Sequence, residues 1–343
     1  MSTRTELGEG PDVIARLLDE GGAKIEAIAR EVRARGVDLV VVAARGTSDH
    51  AAIYAQYVLG ARNRLPVALA APSLASVYGA MPRLHNALVL GISQSGKSPD
   101  IAAVLEDAHR QGSLTVAMTN DPTSELAAVA DHCVAINAGP ELGVAATKTY
   151  LASIMVVAML SGAMSGDRAS GEELRALPAA VREALATEER VIAAAAAHAG
   201  DERCVVLARG FQYATAREWA LKIKELAYVL ADPYSTADFQ HGPIALVTGG
   251  FPVLAVATAG PALPGVLELL GRLHAARARL LVVSDTPEAL ALGAGIPVPA
   301  GVPEWLAPLV SIVPCQLYAW HLAGARGVDP DRPRNLSKVT LTR

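Results

Sequence analysis

The feature that most constrains the fold of this chain is an internal echo. Val40-Val-Val-Ala-Ala-Arg-Gly46 returns as Cys204-Val-Val-Leu-Ala-Arg-Gly210, with Arg45 and Arg209 164 residues apart. The echo continues in order: Leu114-Thr-Val-Ala-Met-Thr-Asn120 pairs with Leu280-Leu-Val-Val-Ser-Asp285, and Ile136-Asn-Ala-Gly-Pro-Glu141 with Val298-Pro-Ala-Gly-Val-Pro-Glu304. Three echoes in sequence order imply two copies of one domain. That agrees with a length of 343 residues, beyond what one hydrophobic core ordinarily holds. In each copy, short β-branched runs end in Gly, Ser, Thr or Asn and lead into helix-length Ala/Leu/Glu segments. That alternation predicts an α/β fold, a doubly wound parallel sheet with helices on both faces.

The pattern predicts strands at 38–44, 66–70, 87–92, 114–119 and 133–136 in copy one, and at 203–208, 252–257, 279–284 and 296–299 in copy two, where the second strand is harder to place. The expected layout is an amino-terminal helical segment over 1–35, with its helix at 11–35, and a first domain over 36–170. A helical connector over 171–199, a second domain over 200–330 and a tail over 331–343 that folds back over the site complete it.

Composition narrows the partners. Apolar residues make up 52% and charged ones 19%, which supplies buried cores and gives no case for disorder. With 4% aromatics and a net charge of −4, neither base stacking nor a global pull on nucleic acid or anionic lipid is expected, so any anion must be held locally. Cys133, Cys204 and Cys315 are scattered in apolar runs without metal spacing and read as buried hydrophobes in a reducing compartment. Residues 1–20 lack a signal-peptide core, and Leu151 to Met164 is shorter than the ~20 residues a bilayer span needs. A cytoplasmic protein without membrane partners is the simplest expectation.

In open parallel sheets, ligands bind beyond the carboxyl ends of the strands. The peptide after Ala87-Leu-Val-Leu90 is Gly91-Ile-Ser-Gln-Ser-Gly-Lys-Ser98, followed by Pro99. Its glycines let backbone N–H groups converge and its hydroxyls add donors, a combination suited to phosphate. Ser98 before Pro99 predicts an N-cap and an N1 proline, aiming a helix amino terminus at the same spot. The segment also matches the nucleotide-binding pattern GxxxxGK[ST]. Against that reading stand Pro99, the position on the third strand, and Asp121 and Asp285, which look like turn residues rather than magnesium-binding aspartates. Arg45-Gly46-Thr47-Ser48 after the first strand is a second anion-facing turn, adjacent to the first if the strand order is 2-1-3-4-5.

In copy two, Lys222 and Glu225 share a helix face at i, i+3, where the ammonium favours an ionised carboxylate ready to take a proton. Such pairs are also common surface decoration, and spacing alone leaves the role open. His241, before Gly242-Pro243, is available for proton transfer near neutral pH or for a structural role. Lys338 would supply an amine if the tail folds over the site. The second copy keeps no serine loop at Val256-Ala-Thr-Ala-Gly260, so one phosphate site per chain is expected.

As an ordered set, these motifs, with Gly143-Val-Ala-Ala-Thr-Lys-Thr149 and Pro333-Arg-Asn-Leu-Ser-Lys338, resemble the sugar isomerase (SIS) domain family from about residue 36 onward. The likeness is nearest to the isomerase halves of hexosamine-phosphate synthases. It implies two tandem SIS domains of flavodoxin-like winding. It further implies that Thr47, Ser48, Ser93, Gln94, Ser95 and Ser98 hold a sugar phosphate and that Glu225 moves the proton between C1 and C2, with Lys222 beside it. His241 would assist ring opening from a neighbouring subunit of a homodimer, Lys338 would lie over the substrate, and Arg45, Gly46, Val144 and Ala145 would line it. No metal or organic cofactor is implied. Arg45, Lys97, Ala146 and Gln240 depart from the synthase pattern and leave the sugar open.

The synthases carry a glutaminase domain with an amino-terminal cysteine, whereas this chain starts Met1-Ser2-Thr3. The expected chemistry is therefore isomerisation or deamination of a hexose or hexosamine 6-phosphate, foremost glucosamine 6-phosphate to fructose 6-phosphate and ammonia. A fructosamine 6-phosphate deglycase, another amino-sugar phosphate isomerase and a non-catalytic sugar-phosphate sensor are the alternatives. Residues 1–35 are too short and too acidic for the DNA-binding helices of a sensor.

Overall fold

The computed structural model describes residues 3–338. Strands β1 (Leu39–Ala43), β2 (Val67–Leu69), β3 (Ala87–Ile92), β4 (Leu114–Thr119) and β5 (His132–Ala135) form a parallel sheet in the order β2-β1-β3-β4-β5. Strands β6 (Arg203–Ala208), β7 (Leu230–Ser235), β8 (Pro252–Val256), β9 (Arg279–Ser284) and β10 (Ala294–Pro297) form a second, ordered β10-β9-β8-β6-β7. Counted within its own copy, each sheet winds 2-1-3-4-5, so the duplication extends to topology. The helices are α1 (Thr3–Gly8), α2 (Gly10–Glu20), α3 (Gly22–Arg35), α4 (Thr47–Asn63), α5 (Ser73–Ser76), α6 (Pro99–Arg110), α7 (Glu125–Ala128) and α8 (Lys148–Ser165), then α9 (Arg168–Leu185), α10 (Glu188–Ala197), α11 (Gln212–Ala227), α12 (Thr236–Gln240), α13 (Leu263–Ala275), α14 (Pro287–Leu290) and α15 (Ala307–Ala325).

The chain divides into two compact units, each built on one sheet. The first comprises Asp12–Glu141, Lys148–Arg175 and the chain from Ser337; the second comprises the chain up to Pro11, Leu142–Thr147 and Ala176–Leu336.

In the first unit every residue of β3 and β4 is buried, as expected of strands covered on both faces. Val89 and Ala117 pack with Ile101, Val104 and Leu105 of α6, each large side chain contributing about 1.5–3 kcal/mol. Helix α8 has the length and hydropathy of a membrane span, yet 83% of it is buried, because it is a core helix packed against α3 and α4. The expected helix at 11–35 is two helices, α2 and α3. Gly21 separates them, and a Cβ there would meet the Leu17 carbonyl oxygen at 2.8 Å.

In the second unit Leu207, Val253 and Val282 pack against Leu269 and Leu270 of α13. The strand that sequence periodicity left unclear is β7, Leu-Ala-Asp-Pro-Tyr-Ser, paired to β6 alone. An edge strand tolerates Asp232 and Pro233, which a central one would not. The three cysteines are free; burial pushes the Cys204 thiol up to about 12 and raises that of Cys315.

Candidate functional site

The serine loop is shaped by its neighbours within the first unit. Parallel pairing sets Ala43 opposite Gly91, so the loops leaving β1 and β3 start at the same level. The Ser93 N–H donates to the Met118 carbonyl (3.1 Å), the Gln94 carbonyl accepts from Asn120 N–H (3.0 Å), and the Gly96 carbonyl accepts from Leu126 N–H (3.1 Å). Gly96 has φ +64°, and a Cβ on it would lie 2.0 Å from Ser124 Oγ. Only glycine fits there.

Ser98 occupies the N-cap position of α6 ahead of Pro99, as expected, but its side chain makes no cap hydrogen bond. Its hydroxyl stands 3.3 Å from Ser93 Oγ. The serine is thus turned into the loop rather than consumed by the helix. Gly96 N–H also donates to Ser93 Oγ (3.2 Å), and Lys97 N–H to Ser95 Oγ (3.3 Å). Serine hydroxyls and backbone amides thus lie within one short loop at the amino terminus of α6, groups of the kind that bind a phosphate monoester.

A fixed strut ties this loop to the one after β1. Arg45 Nε donates to Asp100 Oδ2 at 2.9 Å, and Asp100 is 1% exposed in the first turn of α6. Gly46, at φ 55° and ψ −128°, turns the chain into α4 so that Thr47 and Ser48 open that helix. Lys97 is exposed. Asp121 is a turn residue, accepting from Thr123 N–H (2.9 Å) and Oγ1–H (2.6 Å), bonds that hold its carboxyl below the usual range. Asp285 accepts from Ala259 N–H at 2.8 Å. Both aspartates are spent on turns, so the magnesium-binding aspartate of a nucleotide hydrolase is found at neither.

Gly96→Ala is expected to cost both stability and grip, since the new methyl collides with Ser124 and the positive φ is strained. A loss of about 1–3 kcal/mol in denaturation midpoint should accompany at least tenfold weaker phosphate-ester binding by calorimetry.

The first unit also holds the tail amine. Lys338 Nζ donates to Glu141 Oε2 at 2.6 Å. Glu141 is buried and accepts as well from Thr149 N–H (3.1 Å) and Oγ1–H (2.7 Å).

In the second unit α11 carries the candidate acid–base residues. Lys222, 1% exposed, is ion-paired to Glu225 and stands 3.4 Å from Glu218, whose side chain is fully buried. Glu225 alone of the three keeps an open face, 22% exposed. The structure pairs Lys222 with Glu225 as their spacing predicts, and sets beside them Glu218, which the sequence did not single out. The i, i+4 spacing of Glu218 and Lys222 was readable, but nothing in it reports burial. Close by in the chain, Tyr228 Oη accepts from Arg334 N–H at 2.7 Å, and the Arg334 guanidinium lies 4.1 Å from the Tyr228 ring centre. His241 ends α12 and is exposed, its N–H donating to the Asp238 carbonyl at 3.0 Å. Gln240, one of the departures, accepts from Arg272 Nη1 at 2.8 Å.

Leu142–Thr147, carrying Val144 and Ala145, belongs to this unit, where Leu142 N–H and Gly143 N–H donate to Glu6. The second sheet's counterpart of the serine loop is built differently. Thr258 Oγ1 accepts from Gln212 Nε2 at 3.1 Å, and a Cβ on Gly260 would lie 2.3 Å from the carboxyl carbon of Glu304. Burial raises the Glu304 carboxyl, opposed by a hydrogen bond from the Ala262 backbone. Among the described residues no cluster of three or more His, Cys, Asp or Glu side chains could hold a metal ion.

Comparison with known proteins agrees with this arrangement. The SIS domain profile matches residues 35–162 and 199–324, once over each sheet. The glutamine–fructose-6-phosphate aminotransferase (isomerizing) of Gloeobacter violaceus is 36% identical over 317 residues, covering 88% of this chain and 51% of that protein. The chain thus spans about half the length of the curated relatives it matches. Among solved structures, a Silicibacter pomeroyi protein assigned as a phosphosugar isomerase superposes with a TM-score of 0.88 at 37% identity, covering 96% of this chain and all of that one. The C-terminal domain of the Francisella tularensis glucosamine-fructose-6-phosphate aminotransferase gives 0.88 at 27% identity, over 96% and 97%. The repeat read from the sequence, the identical winding of the two sheets and a profile match over each lead to one conclusion: this chain belongs to the SIS domain family and carries two copies of its fold.

Proposed function

We propose that the chain is a cytoplasmic phosphosugar isomerase acting on a hexose or hexosamine 6-phosphate, with conversion of glucosamine 6-phosphate to fructose 6-phosphate and ammonia as its leading reaction. The observation that carries the reading is the α11 triplet, a sealed lysine between two carboxylates of which only Glu225 keeps an exposed edge. The buried ammonium holds the Glu225 carboxylate in place, and the exposed edge gives a substrate access to it.

In the proposed reaction Ser93, Gln94, Ser95, Ser98, Thr47 and Ser48 hold the phosphate, and His241 opens the ring. Glu225 takes the C2 proton of the open-chain sugar, and the electron pair passes through an enolamine. The proton returns at C1, leaving an imine at C2 that takes up water to give the ketone and ammonia. Lys338 and the loop amides steady the charge that develops on oxygen. A homodimer with His241 donated to its partner completes the proposal; the exposure of His241 on its own unit supports that role.

The test is to incubate the purified chain with glucosamine 6-phosphate and measure ammonia and fructose 6-phosphate in equal amounts. Binding without turnover of any hexose or hexosamine 6-phosphate would sink the enzyme reading and favour a sensor. Turnover confined to fructosamine 6-phosphate would favour the deglycase.

A further inference from the structure

We propose that Glu6, in the amino-terminal helix α1, is a positioning residue that holds the Gly143-Val144-Ala145 backbone in its substrate-binding shape. The inference rests on the phosphosugar-isomerase reading, which gives Val144 and Ala145 backbone contacts to the sugar.

Glu6 is fully buried. A carboxylate so placed is costly unless its lone pairs are used, and here they are used on backbone. Leu142 N–H donates to Oε1 at 2.5 Å, and Gly143 N–H donates to Oε1 and Oε2 at 3.2 and 3.1 Å. The contact is close enough to dictate residue 143. A Cβ on Gly143 would meet Thr3 Oγ1 at 2.7 Å and Glu6 Oε2 at 2.8 Å, so helix and segment touch backbone to side chain. At the other end of the segment the Thr147 carbonyl accepts from Gln316 Nε2 of α15 at 3.4 Å.

A helix of six residues does not hold itself together in water. It is fixed from outside: Thr3 N–H donates to Asp331 Oδ1 at 2.8 Å, and Arg4 pairs with Glu188 of α10 (2.6 and 2.5 Å), which also accepts from His321 Nε2 at 2.8 Å. Helix α1 is therefore a strut with its own anchors, and Glu6 is its working end. The two amides that Glu6 holds lie immediately before Val144, so loss of the carboxylate frees the backbone beside the sugar rather than the core.

Glu6→Gln keeps the size, removes the charge and turns an NH2 toward an N–H. The KM for glucosamine 6-phosphate is expected to rise about tenfold while kcat stays within about twofold. Hydrogen exchange of peptides covering 142–147 should accelerate, with exchange in the sheet peptides unchanged. Glu6→Asp, which keeps the charge but is one methylene shorter, should fall between wild type and Glu6→Gln, and it carries the same two readouts if Glu6→Gln does not fold. Arg4→Ala removes one anchor of the helix but keeps the carboxylate on the amides, and should raise KM clearly less than Glu6→Gln does. Unchanged KM with unchanged exchange over 142–147 in Glu6→Gln overturns the proposal, and so does an equal KM rise in Arg4→Ala. A wild-type chain that binds glucosamine 6-phosphate without turning it over fails the isomerase reading instead; the exchange readout, with the dissociation constant in place of KM, then still decides the role of Glu6.

Discussion

Glu225→Gln is expected to lower kcat by roughly 10²–10⁴-fold, the usual worth of a positioned general base, while leaving glucosamine 6-phosphate binding within about threefold. The amide keeps the shape of the carboxylate but cannot take the C2 proton. The proposed phosphate grip, residues 47–48 and 93–98, is not altered by the substitution. Initial rates and calorimetric titration on the same preparation separate the two effects. Equal turnover by variant and wild type would remove Glu225 from the reaction, and a fall in binding matching the fall in rate would make it a substrate-holding group.

The second large effect concerns stability. Lys222→Met is expected to cost roughly 3–5 kcal/mol, because it removes the cation beside Glu218, a carboxylate with no solvent exposure. A surface pair such as Arg35–Glu31, with side chains 42% and 32% exposed, should cost only about 0.3–0.5 kcal/mol when broken. The contrast follows from dielectric, since water cannot reach Glu218 to replace the lost partner. The double variant Glu218→Leu, Lys222→Met removes the buried charges together and should recover most of the lost stability, yet remain impaired in turnover, because Glu225 loses its neighbouring ammonium. Urea midpoints at constant m-value test both statements. A Lys222→Met chain as stable as wild type would show that the ion pair carries no net stabilisation.

The parts of this fold legible in the sequence were those written in local periodicity. The buried β-branched runs of β1, β3, β4, β6, β8 and β9 announce themselves, and the echo between copies predicts that one winding serves twice. Strand β7 stayed hidden because an edge position admits Asp232 and Pro233, the residues that sequence reading takes as breakers. At the site, the serine loop was legible because glycine and hydroxyl density after a strand has few other uses. Ser98 was legible as a helix start but not as a hydroxyl turned toward Ser93, since a rotamer is chosen by tertiary neighbours. Glu218 was legible only as a spacing, and Glu6 not at all. Their meaning comes from burial and, for Glu6, from partners 136 and 137 residues away, and no window along the chain contains that information.

The loop after β8 has a consequence for how this chain can change. There Gly260 is backed by the Glu304 carboxylate, and the one hydroxyl, on Thr258, is already bonded to Gln212. The negative charge that a ligand would bring is thus supplied from within. Removing Glu304 alone would expose a turn without serines, and adding serines alone would point them at a carboxylate. Neither single change suffices, so building an anion grip in the second copy takes at least two substitutions made together.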